Sequence, residues 1–424
     1  MDWIKQCTRP VRRTVLVVAL LTTVLANTAY AAGLTLSTVE ALALTDDPGL
    51  RRYEARRAAL NELAVAADQL PDPMLKFGVT GLPTDTFDLG QEAMTQVQVG
   101  VVQKFPRGRS RELQSRQVGL KAEGLDAAAS DERLQIVRAV REQFIEVVKQ
   151  RQLARINAEA IAAIREVADI TRDYYATGRV DQQDVLQAAV ELSRVEDRAT
   201  RIAQEEEQAR SRLSAWIGAA AFEPLAAEWP ELEAESDAAR LKSGLTQHPR
   251  VLALQKSVNA AEAGVELARQ RYKPEFGVDL SYGGRSGRNP DGRPRSDLLS
   301  LMVVMDVPLF TENRQDRVVA AQVAESSAAL FARDDVLRRL HSEVDFNLAA
   351  RQRQEERIAR FENTLLPEAG FSSEASMNAY RSSIADLTQL LRSRITEFNL
   401  QLEFATLRAE RLKTLARLRY LEGV

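Results

Sequence analysis

The chain reads as two copies of one plan about 200 residues long, and this repeat limits the fold more than any composition figure. Asp47-Pro48 is answered by His248-Pro249, an offset of 201. Asp72-Pro73 with Phe77-Gly78-Val79 returns as Lys273-Pro274 with Phe276-Gly277-Val278. Phe105-Pro106 returns as Val307-Pro308-Leu309-Phe310. Tyr175-Ala176-Thr177-Gly178 returns as Tyr380-Arg381-Ser382-Ser383, an offset of 205, and Arg212-Leu213 with Gly218 as Arg417-Leu418 with Gly423. The order is kept throughout, so each element built by one copy is expected in the other. Neither copy is expected to fold alone.

Within each copy the hydrophobic period changes twice. A helix comes first: Ser37-x-x-Glu40 has the form of a capping box, opening an amphipathic stretch to about Gln69, with a counterpart over 249–272. Alternating segments follow, predicting strands over 74–81 and 94–105, then 275–283 and 297–310. Val97, Val99 and Val101 are separated by Gln98 and Gly100; Phe276, Val278, Leu280 and Tyr282 alternate with small or polar residues. Polar loops, 82–93 and 284–295, join the strands. The second reads GRSGRNPDGRPR, but it precedes a strand and lacks the Lys-Ser/Thr of a phosphate loop. Then comes a run free of proline, 110–176, whose 67 residues would span ~100 Å as one helix. A turn at 177–180 leads to a second helix ending near Trp216. The later copy repeats this hairpin over 313–421, with a break expected at Pro367. Residues 223–248 read as a linker between repeats covering 32–222 and 249–424. Gly 20 and Pro 14 in 424 residues suit a chain dominated by long helices.

The first 31 residues read as an export leader. Lys5, Arg9, Arg12 and Arg13 precede the apolar run 15–26, and Ala29-Tyr30-Ala31 offers small residues for cleavage. Cleavage removes four basic groups and one acidic group from 57 and 60, leaving 53 and 59 and a net charge of −6. It also removes Cys7, the one cysteine. Two His and no mature Cys exclude a disulfide framework and a Cys/His zinc site. The charge balance argues against nucleic acid as a partner.

No later run has 18 consecutive apolar residues, so a membrane could be crossed only by a closed β-barrel. Four strands per chain are too few, because about eight is the smallest membrane barrel. Three copies would give 12 strands continued by long helices. The residues alone leave this open against a small soluble sheet beside a helical bundle, which would make the chain a periplasmic coiled-coil scaffold or adaptor.

Leu70-Pro71-Asp72-Pro73, Met94-Thr95 with Val101-Val102-Gln103-Lys104-Phe105-Pro106, and Tyr175–Gly178 followed by Asp184-Val185-Leu186 resemble the TolC-type outer-membrane efflux factors. The resemblance spans about 34–423, and the first two motifs look most like the family's heavy-metal efflux branch. It implies a mainly helical chain with four membrane strands. The homotrimer would form a 12-stranded barrel in outer-membrane lipid, joined to a periplasmic α-helical tunnel. The implied partners are a periplasmic adaptor and an inner-membrane pump, and the implied role is export of small toxic compounds, heavy-metal cations among them. The hairpin tips expected to meet the adaptor are Thr177, Gly178, Arg179, Val180 and Asp181, with Ser382, Ser383, Ile384 and Ala385. Asp386, Gln389 and Arg392 are the aperture candidates. Ser383 replaces the family's Gly, and the positions where acidic residues often line the family's aperture hold Gln389 and Arg392. A basic ring there would repel cations.

Other residues attract blander readings. His248, His341, Met302 and Met305 read as packing or surface residues, and the runs Glu205–Glu207 and Arg351–Arg357 as solvated helix faces. Trp216, Trp229 and Tyr282 are candidate packing or interface anchors. No nucleophile–base pattern appears, so neither an enzyme nor a cofactor is expected.

Overall fold

The computed structural model describes residues 33–235 and 237–423; the leader lies outside them. In chain order the helices are α1 (Leu36–Leu44), α2 (Pro48–Ala67), α3 (Ser110–Ala176), α4 (Gln182–Ile217), α5 (Ala238–Gly244), α6 (Pro249–Arg269), α7 (Gln315–Arg360), α8 (Leu366–Arg381) and α9 (Leu387–Glu422). The strands are β1 (Met74–Thr80), β2 (Gln96–Phe105), β3 (Phe276–Gly284) and β4 (Leu298–Met305). No helix among the described residues is long and apolar enough to cross a membrane.

The chain divides into two compact units. One joins residues through 47 with 133–244 and 342–424; the other joins 48–132 with 245–341. The cuts at 47/48 and 244/245 fall at matching places in the two repeats. Each unit therefore draws matching segments from both copies.

Several boundaries differ from the sequence reading, each for a local reason. The first helix is capped by Thr35, whose Oγ1 accepts the Thr38 amide at 3.4 Å, not by Ser37. Glu40 instead pairs with Arg141 at 2.7 Å. The expected helix to Gln69 is two helices, because Asp46 takes a positive φ of 58° and Pro48 opens α2. Residues 223–248 are more than a linker: α5 lies within them and is the counterpart of α1. β4 stops at Met305, five residues before the expected end. The Asp306 amide still meets the Glu275 carbonyl in register at 3.2 Å, but Pro308 has no N–H to carry the ladder further. Pro367 does not break the helix. Residues Phe361–Leu365 form a π-turn in which the Leu366 amide reaches the Phe361 carbonyl, and the chain stays helical into α8. The widened turn absorbs the hydrogen bond that proline cannot make.

In the first unit the long helices pack by apolar stripes at helical spacing. Ile156, Ala160, Phe398 and Ala405 form one cluster, with Trp229 and Leu402 against it. Ile145, Ala409, Leu412 and Leu415 form another. Segment 223–235 is tied down by arginines rather than left slack. Arg151 donates to the Leu225 carbonyl at 2.6 Å, Arg210 to Ala221 and Glu223, and Arg351 to Ala234 at 3.0 Å. Glu206 pairs with both Arg151 and Arg210, and Glu205 accepts from Gln150. These members of the charge runs are structural, contrary to the solvated-face reading.

Between α3 and α9, Glu146 meets Lys149 at 2.6 Å and Lys413 at 2.7 Å. Burial alone would raise its carboxyl. The two ammonium groups outweigh that and lower it from the usual 4.5 to about 2. A carboxyl depressed on folding stabilises fully above its unfolded pKa and loses that contribution as pH falls through the folded one. Between pH 6 and pH 3 the purified protein is expected to lose about 1 kcal/mol from this group, discounted for its partial exposure. Thermal melts across that range should be flatter in Glu146→Gln; an unchanged slope would show that the cluster carries no linkage.

Candidate functional site

The second unit holds one antiparallel sheet in the order β1-β2-β3-β4. Its register places Leu75, Phe77 and Val79 opposite Val101, Val99 and Val97. Val97, Val99 and Val101 in turn face Gly284, Tyr282 and Leu280, and the latter two face Leu299 and Leu301. Period-two alternation thus gathers most of the large apolar side chains on one face, with Met74, Val102, Leu298, Met302 and Val304 on the other. The first face is bare: Phe77 is 73% exposed and Leu301 70%. The opposite face carries Lys76, Gln96, Gln98, Lys104, Asp279, Ser281 and Ser300, and every charge within the strands lies on it. Lys76 Nζ reaches Asp279 at 2.8 Å across β2, where Gly100 presents no side chain between them. A Cβ at Gly100 would approach the Ser281 Cβ to 2.8 Å. The outer edges of β1 and β4 have no strand partner among the described residues.

The other functional region lies at the turns of the two helical hairpins, α3–α4 and α8–α9, in the first unit. Both turns use a left-handed residue: Gly178 at φ 69° and Ser383 at φ 59°. The Arg179 amide returns to the Tyr174 carbonyl and the Ile384 amide to Ala379, both at 2.8 Å. Ser383 performs the same turn at the steric cost that Gly avoids. Ser383→Gly is expected to raise stability by about 0.5–1 kcal/mol in thermal melts, and Gly178→Ser to lower it comparably.

The structure brings the two turns together. Beneath them Ile164, Val167, Ala188, Met377, Tyr380, Leu387, Leu390 and Leu391 form one core. The Tyr380 hydroxyl lies 3.1 Å from Thr171 Oγ1, Tyr174 donates to the Arg381 carbonyl at 3.2 Å, and Arg381 pairs with Glu166 at 2.6 Å. Repeat symmetry equates Tyr175 with Tyr380, yet Tyr175 is exposed and Tyr380 buried. Leu390 is a residue that the sequence reading did not single out, and Tyr380 entered it only as the repeat counterpart of Tyr175. Thr177, Gly178, Arg179, Asp181, Ser382, Ser383 and Ile384 are exposed; Val180 and Ala385 are half-buried. Asp386 caps α9, accepting the Gln389 amide at 2.7 Å. Gln389 and Arg392 are exposed one and two turns along α9, and Arg392 has no ion pair among the described residues. Among the described residues no group of three His, Cys, Asp or Glu side chains is placed to hold a metal ion.

Residues 241–424 match the family model described as outer membrane efflux protein. No curated protein matches the sequence. Solved structures share the fold at low identity. The outer-membrane channel OprN is 17% identical, with 92% of this chain and 89% of that one covered and a TM-score of 0.77. The outer membrane protein VceC from Vibrio cholerae is 17% identical, with 92% and 96% covered and a TM-score of 0.75. CusC is 14% identical, with 91% of each chain covered and a TM-score of 0.74. The family's proteins are channels, not enzymes. The chain thus shares the outer membrane efflux protein signature over residues 241–424 and the fold of outer-membrane channels over nine-tenths of its length.

Proposed function

We propose that three copies pair their sheets edge to edge into a closed 12-stranded barrel, the exit duct of a tripartite efflux system. The observation that carries this is the four-stranded sheet with two unpaired edges and a continuous exposed apolar face. Unpaired edges and a bare apolar face are costly in water. Closure satisfies the edges, lipid covers the apolar face, and the face with Lys76 and Asp279 lines the lumen. A soluble scaffold would leave both liabilities in place.

The helical turns then face the periplasm. Thr177–Asp181 and Ser382–Ala385 meet the adaptor, through which an inner-membrane pump delivers cargo and supplies the energy. Asp386, Gln389 and Arg392 line the aperture. Asp386 already spends one carboxylate oxygen on its helix cap, and a ring of Arg392 would repel cations. The heavy-metal branch therefore draws its support from Leu70–Pro73 and Met94–Pro106 rather than from the aperture.

The test is extraction of the mature protein. A detergent-dependent particle of three chains by native mass measurement is expected; a monomer soluble without detergent would overturn the reading. For the cargo, deletion should sensitise cells to metal salts. Sensitivity to dyes and detergents alone would reject the metal branch.

A further inference from the structure

The sheet loops at the end away from the helices carry opposite charges. Loop 82–95, between β1 and β2, has Asp85, Asp88 and Glu92 and no basic residue. Loop 285–297, between β3 and β4, has Arg285, Arg288, Arg293 and Arg295 against Asp291 and Asp297.

Two of the arginines are used inside the chain. Arg295 Nη1 donates to the carbonyls of Gly90, Glu92 and Ser286, at 3.1, 2.7 and 3.2 Å. Arg285 donates to Ala93 at 3.2 Å and Ser296 at 2.7 Å. Gly287 packs so closely that a Cβ there would stand 2.7 Å from the Gly90 carbonyl oxygen. The two loops are thus interlocked and shaped before any partner arrives.

The other two arginines point elsewhere. Arg288 spends one donor on its own loop at Gly292, and the Arg293 side chain is 84% exposed; its amide donates to Asp291 at 3.1 Å, but its guanidinium comes no nearer to that carboxylate than 3.9 Å. On the first loop, Asp88 is occupied by the Gly90 amide at 2.7 Å, while Asp85 makes no ion pair among the described residues. Beside it Phe87 is 68% exposed and held at φ 54°, a conformation costly for a bulky side chain. Each loop therefore offers what the other would bind, but on surfaces that do not meet within one chain.

Barrel closure, on which this step rests, sets β4 of one copy against β1 of the next. The Arg293 limb of one loop then adjoins the 82–88 limb of its neighbour. We infer that Arg288 and Arg293 of each copy clamp Asp85 and Phe87 of the next copy, guanidinium on carboxylate and on ring. Three such clamps lock the outer mouth. Each contact is modest at an exposed site, so the lock draws its strength from threefold repetition and weakens with salt.

The mature chain has no cysteine, which makes the test clean. Asp85→Cys with Arg293→Cys in the full chain, treated in membranes with a short bis-maleimide, should give covalent dimers and trimers; either single variant should give none. Intact trimers by native mass without this ladder would overturn the clamp and leave the duct standing; absence of trimers would overturn both. In planar bilayers, Asp85→Arg and Arg293→Asp should each raise conductance, and the double variant should restore the parent value. A double variant that merely sums the single effects would also overturn the clamp.

Discussion

Val99→Arg is expected to abolish stable insertion, while Gln98→Arg, one residue away, should leave assembly intact. Val99 stands in the middle of the apolar face, directly between Phe77 on β1 and Tyr282 on β3. A charge at mid-depth on the lipid side of a membrane barrel costs about 2–4 kcal/mol, and the closed trimer would carry it three times. Gln98 lies on the other face between Gly78 and Gly283, and the space over Gly78 is open to a longer side chain. Heat-resistant trimer recovered from the outer membrane is the measurement. Equal tolerance of both variants would mean that the sheet does not sit in lipid as proposed.

Leu390→Ala should cost about 2–5 kcal/mol, the range for emptying a closely packed leucine site. Leu390 is fully buried in the one core that serves both hairpin turns, so its loss should loosen both. Conductance of the resting channel should rise together with the loss of melting temperature. Tyr380→Phe separates the causes, because it keeps the ring and removes only the hydroxyl bond to Thr171, worth about 1 kcal/mol. A large leak from Tyr380→Phe with little loss of stability would place the constraint in that hydrogen bond rather than in packing. No leak from either variant would show that these turns are not the constriction.

Much of this architecture was legible because its signals are periodic. Alternation over 97–101 and 276–282 names both the strands and the face that each residue occupies, and the long proline-free run gives α3 outright. The misreadings came where two signals competed locally. Thr35 and Ser37 are both competent caps; the helix uses Thr35, and Glu40, the other half of the expected box, is drawn to Arg141. The apolar run 298–310 hides the end of β4, since Pro308 acts through a missing donor rather than through hydropathy. A π-turn leaves no mark in composition, so Pro367 looked like a break. α5 is short and ends in Gly244, which disguised it as linker. In the candidate site, the turn residues were legible from Tyr-x-x-Gly spacing. The burial of Tyr380 against the exposure of Tyr175 was not, because repeat-related residues share a local sequence and differ only in tertiary surroundings.

The interleaving of the repeats has a consequence for how the molecule is made. A chain threaded across the inner membrane from its N-terminus can complete neither compact unit from the first repeat alone. One unit waits for residues up to 341 and the other for those up to 424. Until then β1 and β2 wait as an apolar pair with no third strand, the condition that favours aggregation over folding. Biogenesis should therefore depend on escort proteins that shield nascent strands in transit. Shortening the chain from its C-terminal end should be far more damaging than the loss of a few surface contacts would suggest.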